Sequence, residues 1–253
     1  MLPVTSHKQR IARTFGRAAA NYDQHAGLQR ASGQHLMALV GPRSGWTVLD
    51  AGCGTGWFSR SWRAQGNQVV ALDLAPDMLA QARSNDSTCA YLAGDIEQLP
   101  LGEASVDMCF SNLAVQWCDD LPRALAEFYR VTRPGGVIAV STLADGSLME
   151  LRQAWSKVDQ GVHLNRFLTS MAIAQAFVPY RHHFSAARLT LEYPQLSALL
   201  HELKGVGAGH LRDGRAPGLT SRSCLQRLDA AWTRHQGKLP LSYQLNYGVI
   251  YRE

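Results

Sequence analysis

Three aspartates and a run of alternating glycines carry the chemistry in this sequence. In "VLDAGCGTGWFSR", residues 48–60, an apolar run ends on Asp50, and Gly52, Gly54 and Gly56 follow, with Cys53 and Thr55 between them. Glycine permits positive φ and lets a ligand approach the backbone with no Cβ in the way. Such a loop suits a nucleotide phosphate, a nicotinamide dinucleotide or S-adenosylmethionine. A P-loop is excluded, because no Gly-Lys-Ser/Thr follows to grip phosphates and magnesium. The dinucleotide pattern G-x-G-x-x-G also fails. Its third glycine falls on Trp57, which is too large for the close helix–strand packing that pattern requires.

What remains is Asp-x-Gly-x-Gly-x-Gly, whose carboxylate suits a cation or an ammonium better than a pyrophosphate. Asp73 ends a second apolar run, "QVVALDLA", where a carboxylate can accept both ribose hydroxyl protons. Asp95, in "AGDIEQLP", can accept from an adenine amino group. Taken singly, Asp73 or Asp95 could be a helix cap or turn residue. Taken in order, the three match S-adenosylmethionine, which has an ammonium, a sulfonium and no phosphate. The expected contacts are Asp50, Gly52, Cys53, Gly54, Gly56, Asp73 and Asp95, with neighbours Leu74, Met78 and Ile96. Asn112 ends a further apolar run, where its backbone or amide can meet the methionine ammonium. No metal is expected: the five cysteines form no C-x-x-C pair, and His and Cys show no ligand spacing.

The elements that must position these residues are legible. "WTVLDA", "QVVALDLA", "CAYLAGD", "SVDMCFSNLA" and "VIAVSTL" read as strands separated by helical stretches, including "PDMLAQARS" and "LPRALAEFYRVT". Strands alternating with helices predict a doubly wound, mostly parallel α/β sheet. Pro134-Gly135-Gly136 reads as a helix stop. Residues 7–40 are helical in pattern, with Ile11, Phe15 and Tyr22 on one face. Residues 147–178, 195–205 and 221–236 also read as helices. "ARLTLEY" alternates like a strand, and so does 241–251, with Leu241, Tyr243, Leu245, Tyr247, Val249 and Tyr251 on one face. The division expected is N-terminal helices over 1–45 and one domain over 46–253, with an insertion at about 145–240.

The chain has 253 residues, 46% hydrophobic and 18% charged, with net charge +5. From residue 151 onward 13 Lys+Arg face 6 Asp+Glu, a net +7, so the earlier part is net −2. A basic C-terminal part points to an acidic or phosphate-bearing partner. Nucleic acid is not expected, since "LHELKGVGAGHLRDGR" interleaves no aromatic residue with its basic ones. No apolar run reaches the ~20 residues that span a bilayer, and "MLPVTSHKQR" lacks a signal-peptide core, so a cytoplasmic, membrane-free protein is expected.

Residues 46–142 resemble the core of a class I S-adenosylmethionine-dependent methyltransferase. "TFGRAAANYDQHAGLQR", "SNLAVQWCDDLPRALAEFYRVTRPGGV", "LKGVGAGHLRDGR" and "LTSRSCLQRL" extend the resemblance over nearly the whole chain, to the malonyl-[acyl-carrier protein] O-methyltransferases of biotin synthesis. That resemblance implies a Rossmann-like, seven-stranded sheet with an antiparallel C-terminal strand, and N-terminal lid helices over the cofactor. It implies methylation of the free carboxylate of a malonyl thioester, on acyl carrier protein or coenzyme A, leaving S-adenosylhomocysteine and a methyl ester that primes pimeloyl synthesis. It places Tyr22 on the lid as a positioning residue. Gln116 and Trp117 continue the loop after Asn112 toward the acceptor, and Arg166, Lys204 and His210 are candidate carboxylate anchors. The alternatives are a methyltransferase with another small-molecule acceptor, or a non-catalytic S-adenosylmethionine-binding or RNA-associated module.

Overall fold

The computed structural model describes residues 6–207 and 221–253. Seven strands form one sheet: β1 (Thr47–Ala51), β2 (Gln68–Asp73), β3 (Ala90–Ala93), β4 (Val106–Asn112), β5 (Thr132–Leu143), β6 (His182–Tyr193) and β7 (Leu239–Tyr251). Their order is β3-β2-β1-β4-β5-β7-β6. Neighbours are parallel from β3 through β5, and β7 runs antiparallel to both β5 and β6. This is the Rossmann-like, doubly wound sheet the alternating pattern predicts.

The central strands are almost wholly apolar because helices cover both faces. Val48, Leu49, Met108 and Phe110 are fully buried. On one face α4 (Trp57–Ala64) brings Phe58 and Trp62 to 5.5 Å from the Phe110 ring. On the other, α6 (Leu121–Val131) buries Leu121, Ala124, Leu125, Phe128 and Val131, the i, i+3, i+4, i+7 stripe of a core-facing helix. Asp120 caps it, accepting from the Arg123 N–H at 3.1 Å. Strand β7 is buried on both faces. Tyr247 meets His35 of α3 (Gly27–Val40), with ring centroids 4.6 Å apart. A Cβ at Gly248 would lie 2.1 Å from the Phe177 ring, which belongs to α8 (Ser170–Phe177). Further helices are α5 (Pro76–Asn85), α7 (Met149–Ser156), α9 (Leu196–Gly205) and α10 (Arg222–Ala231).

Several stretches differ from their reading as elements; one is 232–236, since the helix expected over 221–236 ends at Ala231. The N-terminal helical pattern is broken into α1 (Ser6–Ala18), a 3-10 turn (Ala19–Asn21), α2 (Tyr22–His25) and then α3. Asn21 and Gly27 are weak helix formers and stand near the breaks. Residues 157–169 are not helical. The Asp159 carboxylate accepts from the Gly161 N–H at 2.8 Å and bonds His163 at 2.7 Å, a local alternative to helical bonding. Pro134-Gly135-Gly136 does end α6, but it also lies within an irregular first half of β5. A Cβ at Gly136 would sit 2.6 Å from the Asp107 carbonyl oxygen.

Among the described residues no helix is long and apolar enough to cross a membrane. Replacing Phe110 by Ala empties the space between α4 and the sheet centre. We expect a loss of about 3–5 kcal/mol in unfolding free energy, read from urea denaturation.

Candidate functional site

Strands β1 to β4 all end at one edge of the sheet, and the chain departs in opposite directions from the β1–β4 pair. That reversal opens a crevice beyond the strand ends. Gly52, Gly54 and Gly56 line up after β1 with φ of 77°, 55° and 77°, a conformation that side chains with a Cβ resist. The Leu72 carbonyl accepts from both Gly52 and Cys53 N–H, at 2.8 and 2.9 Å. A Cβ at Gly52 would fall 2.4 Å from the Ala114 methyl.

Asp73 holds this loop in place. Its two carboxylate oxygens accept from the Gly54 N–H at 2.9 Å and the Ala75 N–H at 2.8 Å. Each oxygen keeps a lone pair for a further donor. Burial raises the Asp73 carboxyl above its ordinary value, against the pull of these backbone bonds. Asp50 is deeper, 3% exposed, and accepts from Ser59 Oγ at 2.6 Å. Burial, opposed by the Ser59 bond and reinforced by the Asp73 charge, pushes its carboxyl up to about 7. A cation beside it would restore the charge. Burial also raises the Cys53 thiol, so Cys53 is no nucleophile at neutral pH.

The crevice divides into three connected cavities. The first, about 700 Å³ counting space open to solvent, holds Asp73, Leu74, Met78, Asp95, Ile96 and Asn112 beside Gly52 and Gly54. The second, about 440 Å³, holds Asp50, Cys53, Gln29 and Arg30. The third, about 730 Å³, is mostly apolar, with Leu28, Leu113, Leu143, Leu148, Leu164 and Phe167 in its wall, together with Gln116 and Trp117. Tyr22 lines all three. Burial and the nearby carboxylates of Asp73 and Asp23 hold its phenol far above the ordinary value, so Tyr22 stays a donor. Gly56 stands behind the loop, before the first residue of α4, where its Cβ would meet the Ala82 methyl at 3.1 Å.

Several residues that sequence reading missed complete the site. Lys8 of α1 reaches across the first cavity, 7% exposed, and pairs with Asp95 and Glu97. Glu97 also accepts from the Asp119 and Asp120 N–H groups, at 3.1 and 2.8 Å. Phe15 packs edge-on to Trp117 at 5.2 Å, closing the nucleoside side from above. Arg30 lies over the Trp57 ring at 5.0 Å and donates to the Asp23 carbonyl at 2.6 Å. The buried Gln29 Oε1 has no hydrogen-bond partner. Nothing in the spacing marks Lys8, Arg30 or Gln29; only folding brings α1 and α3 over the strand ends. The "IEQLP" turn after Asp95 was a weak signal for Glu97.

The other sequence candidates are placed as follows. The Asn112 amide is committed to structure, donating to the Gln29 carbonyl at 2.9 Å and accepting from Ser141 Oγ at 2.8 Å. The Gln116 amide donates to the Leu113 carbonyl at 2.7 Å. Arg166 and Lys204 are exposed and do not line the third cavity. Among its described lining residues, His25 is the basic one. His210 lies outside the described residues.

These groups fit S-adenosylmethionine. The first two cavities are lined by Asp23, Asp50, Asp73, Asp95 and Glu97, with Lys8 already committed to two of them. That leaves acceptors for ribose, adenine and ammonium, an orphaned acceptor on Gln29, and Arg30 for a carboxylate. Such a loop and acidic edge on this sheet define a class I S-adenosylmethionine-dependent methyltransferase. A methyltransferase-domain family model matches residues 49–140. The chain is 57% identical over 253 residues to the malonyl-[acyl-carrier protein] O-methyltransferase of Pectobacterium atrosepticum, covering 100% of both. It is 55% identical to the enzyme of that name from Serratia marcescens, covering 98% of each. The chain therefore belongs to the malonyl-[acyl-carrier protein] O-methyltransferase family. Geranyl diphosphate methyltransferase, solved with GPP and sinefungin, shares the fold at TM-score 0.60 and 13% identity, over 97% of this chain and 99% of that one. The YcgJ protein of Bacillus subtilis does so at TM-score 0.60 and 18% identity, over 87% and 99%.

Two outcomes follow from this geometry. Gly52→Ala forces a Cβ against Ala114 at a left-handed φ, so calorimetry should read at least a tenfold loss of S-adenosylmethionine affinity, with the far-UV circular dichroism retained. Between about pH 4 and about pH 7 the folded chain keeps a proton on Asp50 that the unfolded chain releases. Its contribution to stability is therefore present at low pH and lost as pH rises through 7, while the charged form that attracts an ammonium appears. Cofactor affinity should rise several-fold from about pH 5.5 to about pH 7. An Asp50→Asn variant should show a flatter profile.

Proposed function

We propose that this chain transfers a methyl group to the free carboxylate of a malonyl thioester, giving the methyl ester. The observation that carries the reading is the full-length identity to relatives of that name, joined to an apolar cavity that meets the cofactor side at Tyr22. When bound, S-adenosylmethionine supplies an electrophilic methyl on a sulfonium. Asp50, Gln29 and Arg30 are proposed to hold its methionine end, Asp73 its ribose, and Asp95 its adenine. Asn112 braces α3 against β4 between the first two cavities.

A carboxylate with a pKa near 4 is already a nucleophile, so no general base is needed. The work left to the protein is positioning and exclusion of water. Leu28, Leu113, Leu143, Leu148, Leu164 and Phe167 supply a dry wall, with Trp117 and Gln116 at its inner end. Tyr22, His25 and Gln29 project from α2 and α3 at helical spacing into the same cavity. These donors orient an oxyanion without a guanidinium, whose tight ion pair would quench its attack. The neutral ester loses its charge-assisted bonds, which favours release.

Esterification also has a physical purpose: an ionised chain end is costly to bury in an apolar enzyme tunnel, and the methyl cap removes that charge. The carrier is either acyl carrier protein or coenzyme A. Arg181, Arg188, Arg234 and Lys238 are paired with Glu253, Glu150, Asp229 and Glu192, while Arg222 and Arg227 are exposed, and the net +7 from residue 151 onward steers an anionic carrier in a way that weakens with salt.

Mass spectrometry of malonyl-acyl carrier protein and of malonyl-coenzyme A, each incubated with cofactor and protein, tests the reading. A gain of one methyl on the acyl group is expected. A folded chain that binds S-adenosylmethionine and methylates neither rejects the acceptor. Tyr22→Phe should lower kcat about tenfold to a hundredfold, leaving cofactor affinity nearly unchanged.

A further inference from the structure

Outside the cofactor and acceptor cavities, a groove of about 780 Å³ counting open space runs along the C-terminal half of α7 and the loop after it. Arg152 and Arg166 both line it, with His163, Trp155 and Ser156. It is a built feature and not a ragged loop. The His163 ring lies flat on Trp155, 3.6 Å between centroids and 6° between planes. At its edge, Nε2 of that ring bonds Asp159 Oδ1 at 2.7 Å. Arg152 braces the loop from below, through a long bond of 3.4 Å to the Asn165 carbonyl. Asp159 is the one carboxylate in the described lining. Its carboxylate is already engaged by the His163 ring at 2.7 Å and the Gly161 N–H at 2.8 Å, and Arg227 of α10 adds positive charge beside it.

The groove adjoins the acceptor cavity. Leu164 lines both. On the same stretch Asn165 and Phe167 turn into the acceptor cavity, while His163 and Arg166 turn into the groove. Helix α7 divides likewise: Leu148 before its first turn faces the acceptor side, and Arg152 and Trp155 face the groove. A ligand with an anionic head in the groove and a thin neck over Leu164 would present its far end toward Tyr22.

We propose that this groove binds the phosphate of a phosphopantetheine arm, through the guanidinium groups of Arg152 and Arg166 with His163 beside them. The proposal rests on the malonyl-thioester reading and adds the place where the carrier's arm is gripped. It also gives Arg166 a different task from anchoring the reacting carboxylate. Guanidinium forks match phosphate oxygens in geometry as well as charge, and the flat Trp155–His163 stack offers a wall for the arm's uncharged part. Both candidate carriers bear this phosphate, so the site does not by itself choose between them.

The experiment compares two small acceptors, malonyl-4′-phosphopantetheine and malonyl-pantetheine, which differ only in the phosphate. The native chain should prefer the phosphorylated one by about tenfold or more in kcat/KM, expressed in KM. In an Arg152→Ala/Arg166→Ala chain that preference should collapse toward one. Calorimetry with 4′-phosphopantetheine and pantetheine, without turnover, should give the same contrast in affinity. Equal use of both acceptors by the native chain, or a preference that survives in the double variant, overturns the groove assignment while leaving malonyl-thioester methylation standing. Arg152→Lys/Arg166→Lys guards against misfolding: it should retain part of the preference, and complete retention in the alanine chain is again the overturning result. A larger loss on malonyl-acyl carrier protein than on malonyl-coenzyme A marks the protein's arm as the source of the phosphate, and the reverse marks coenzyme A.

Discussion

The Asp73 carboxylate bonds to the Gly54 and Ala75 backbone N–H groups and so ties the glycine loop to the end of the neighbouring strand. Three alternating positive-φ glycines have no intrinsic reason to hold one shape, since glycine loses more freedom on ordering than any other residue. The carboxylate and the Leu72 carbonyl supply that reason. With the loop pinned, Asp50 lies buried beneath it and Asp73 keeps lone pairs free above it. A loop that wandered would let water reach Asp50, and its raised carboxyl value would relax.

From that anchor the site separates two solvents. On one side stand acidic groups that favour a positively charged nucleoside. On the other is a mostly apolar cavity whose polar groups are nearly all neutral. The two meet at Tyr22, whose phenol is kept protonated by burial beside carboxylates. This division suits a methyl transfer in which a cation and an anion both lose charge. Groups that held either reactant too firmly would oppose the step, and the proposed mechanism asks of the chain only alignment and dryness. Helix α1 closes the nucleoside side through the pairing of Lys8 with Asp95 and Glu97, so a lid residue and an expected adenine contact share one carboxylate.

Much of the fold was legible because its signals are local. Every parallel strand was readable from an apolar run, and the β7 alternation was visible from 241 to 251. Reading failed where local bonds competed with the helical pattern, as at Asp159–His163, and where tertiary pairing drew Pro134-Gly135-Gly136 into β5. The cofactor edge was legible for a similar reason: parallel strands must deliver their carboxyl ends to the same side. Asn112 reached that edge too, but its amide serves the bracing of α3, a task no spacing announces.

The sequence by itself determined the alternation of strands and helices, the glycine turn, and the acidic character of the edge beyond the strands, because backbone preference and strand direction are set over a few residues. Only the tertiary structure decided which cations and donors close that edge. Lys8 meets Asp95 across 87 positions, and Asn112 meets the Gln29 carbonyl across 83. It also turned Arg166 away from the acceptor cavity and into a groove shared with Arg152. Such contacts depend on how helices pack over a finished sheet, and that packing is a property of the whole chain.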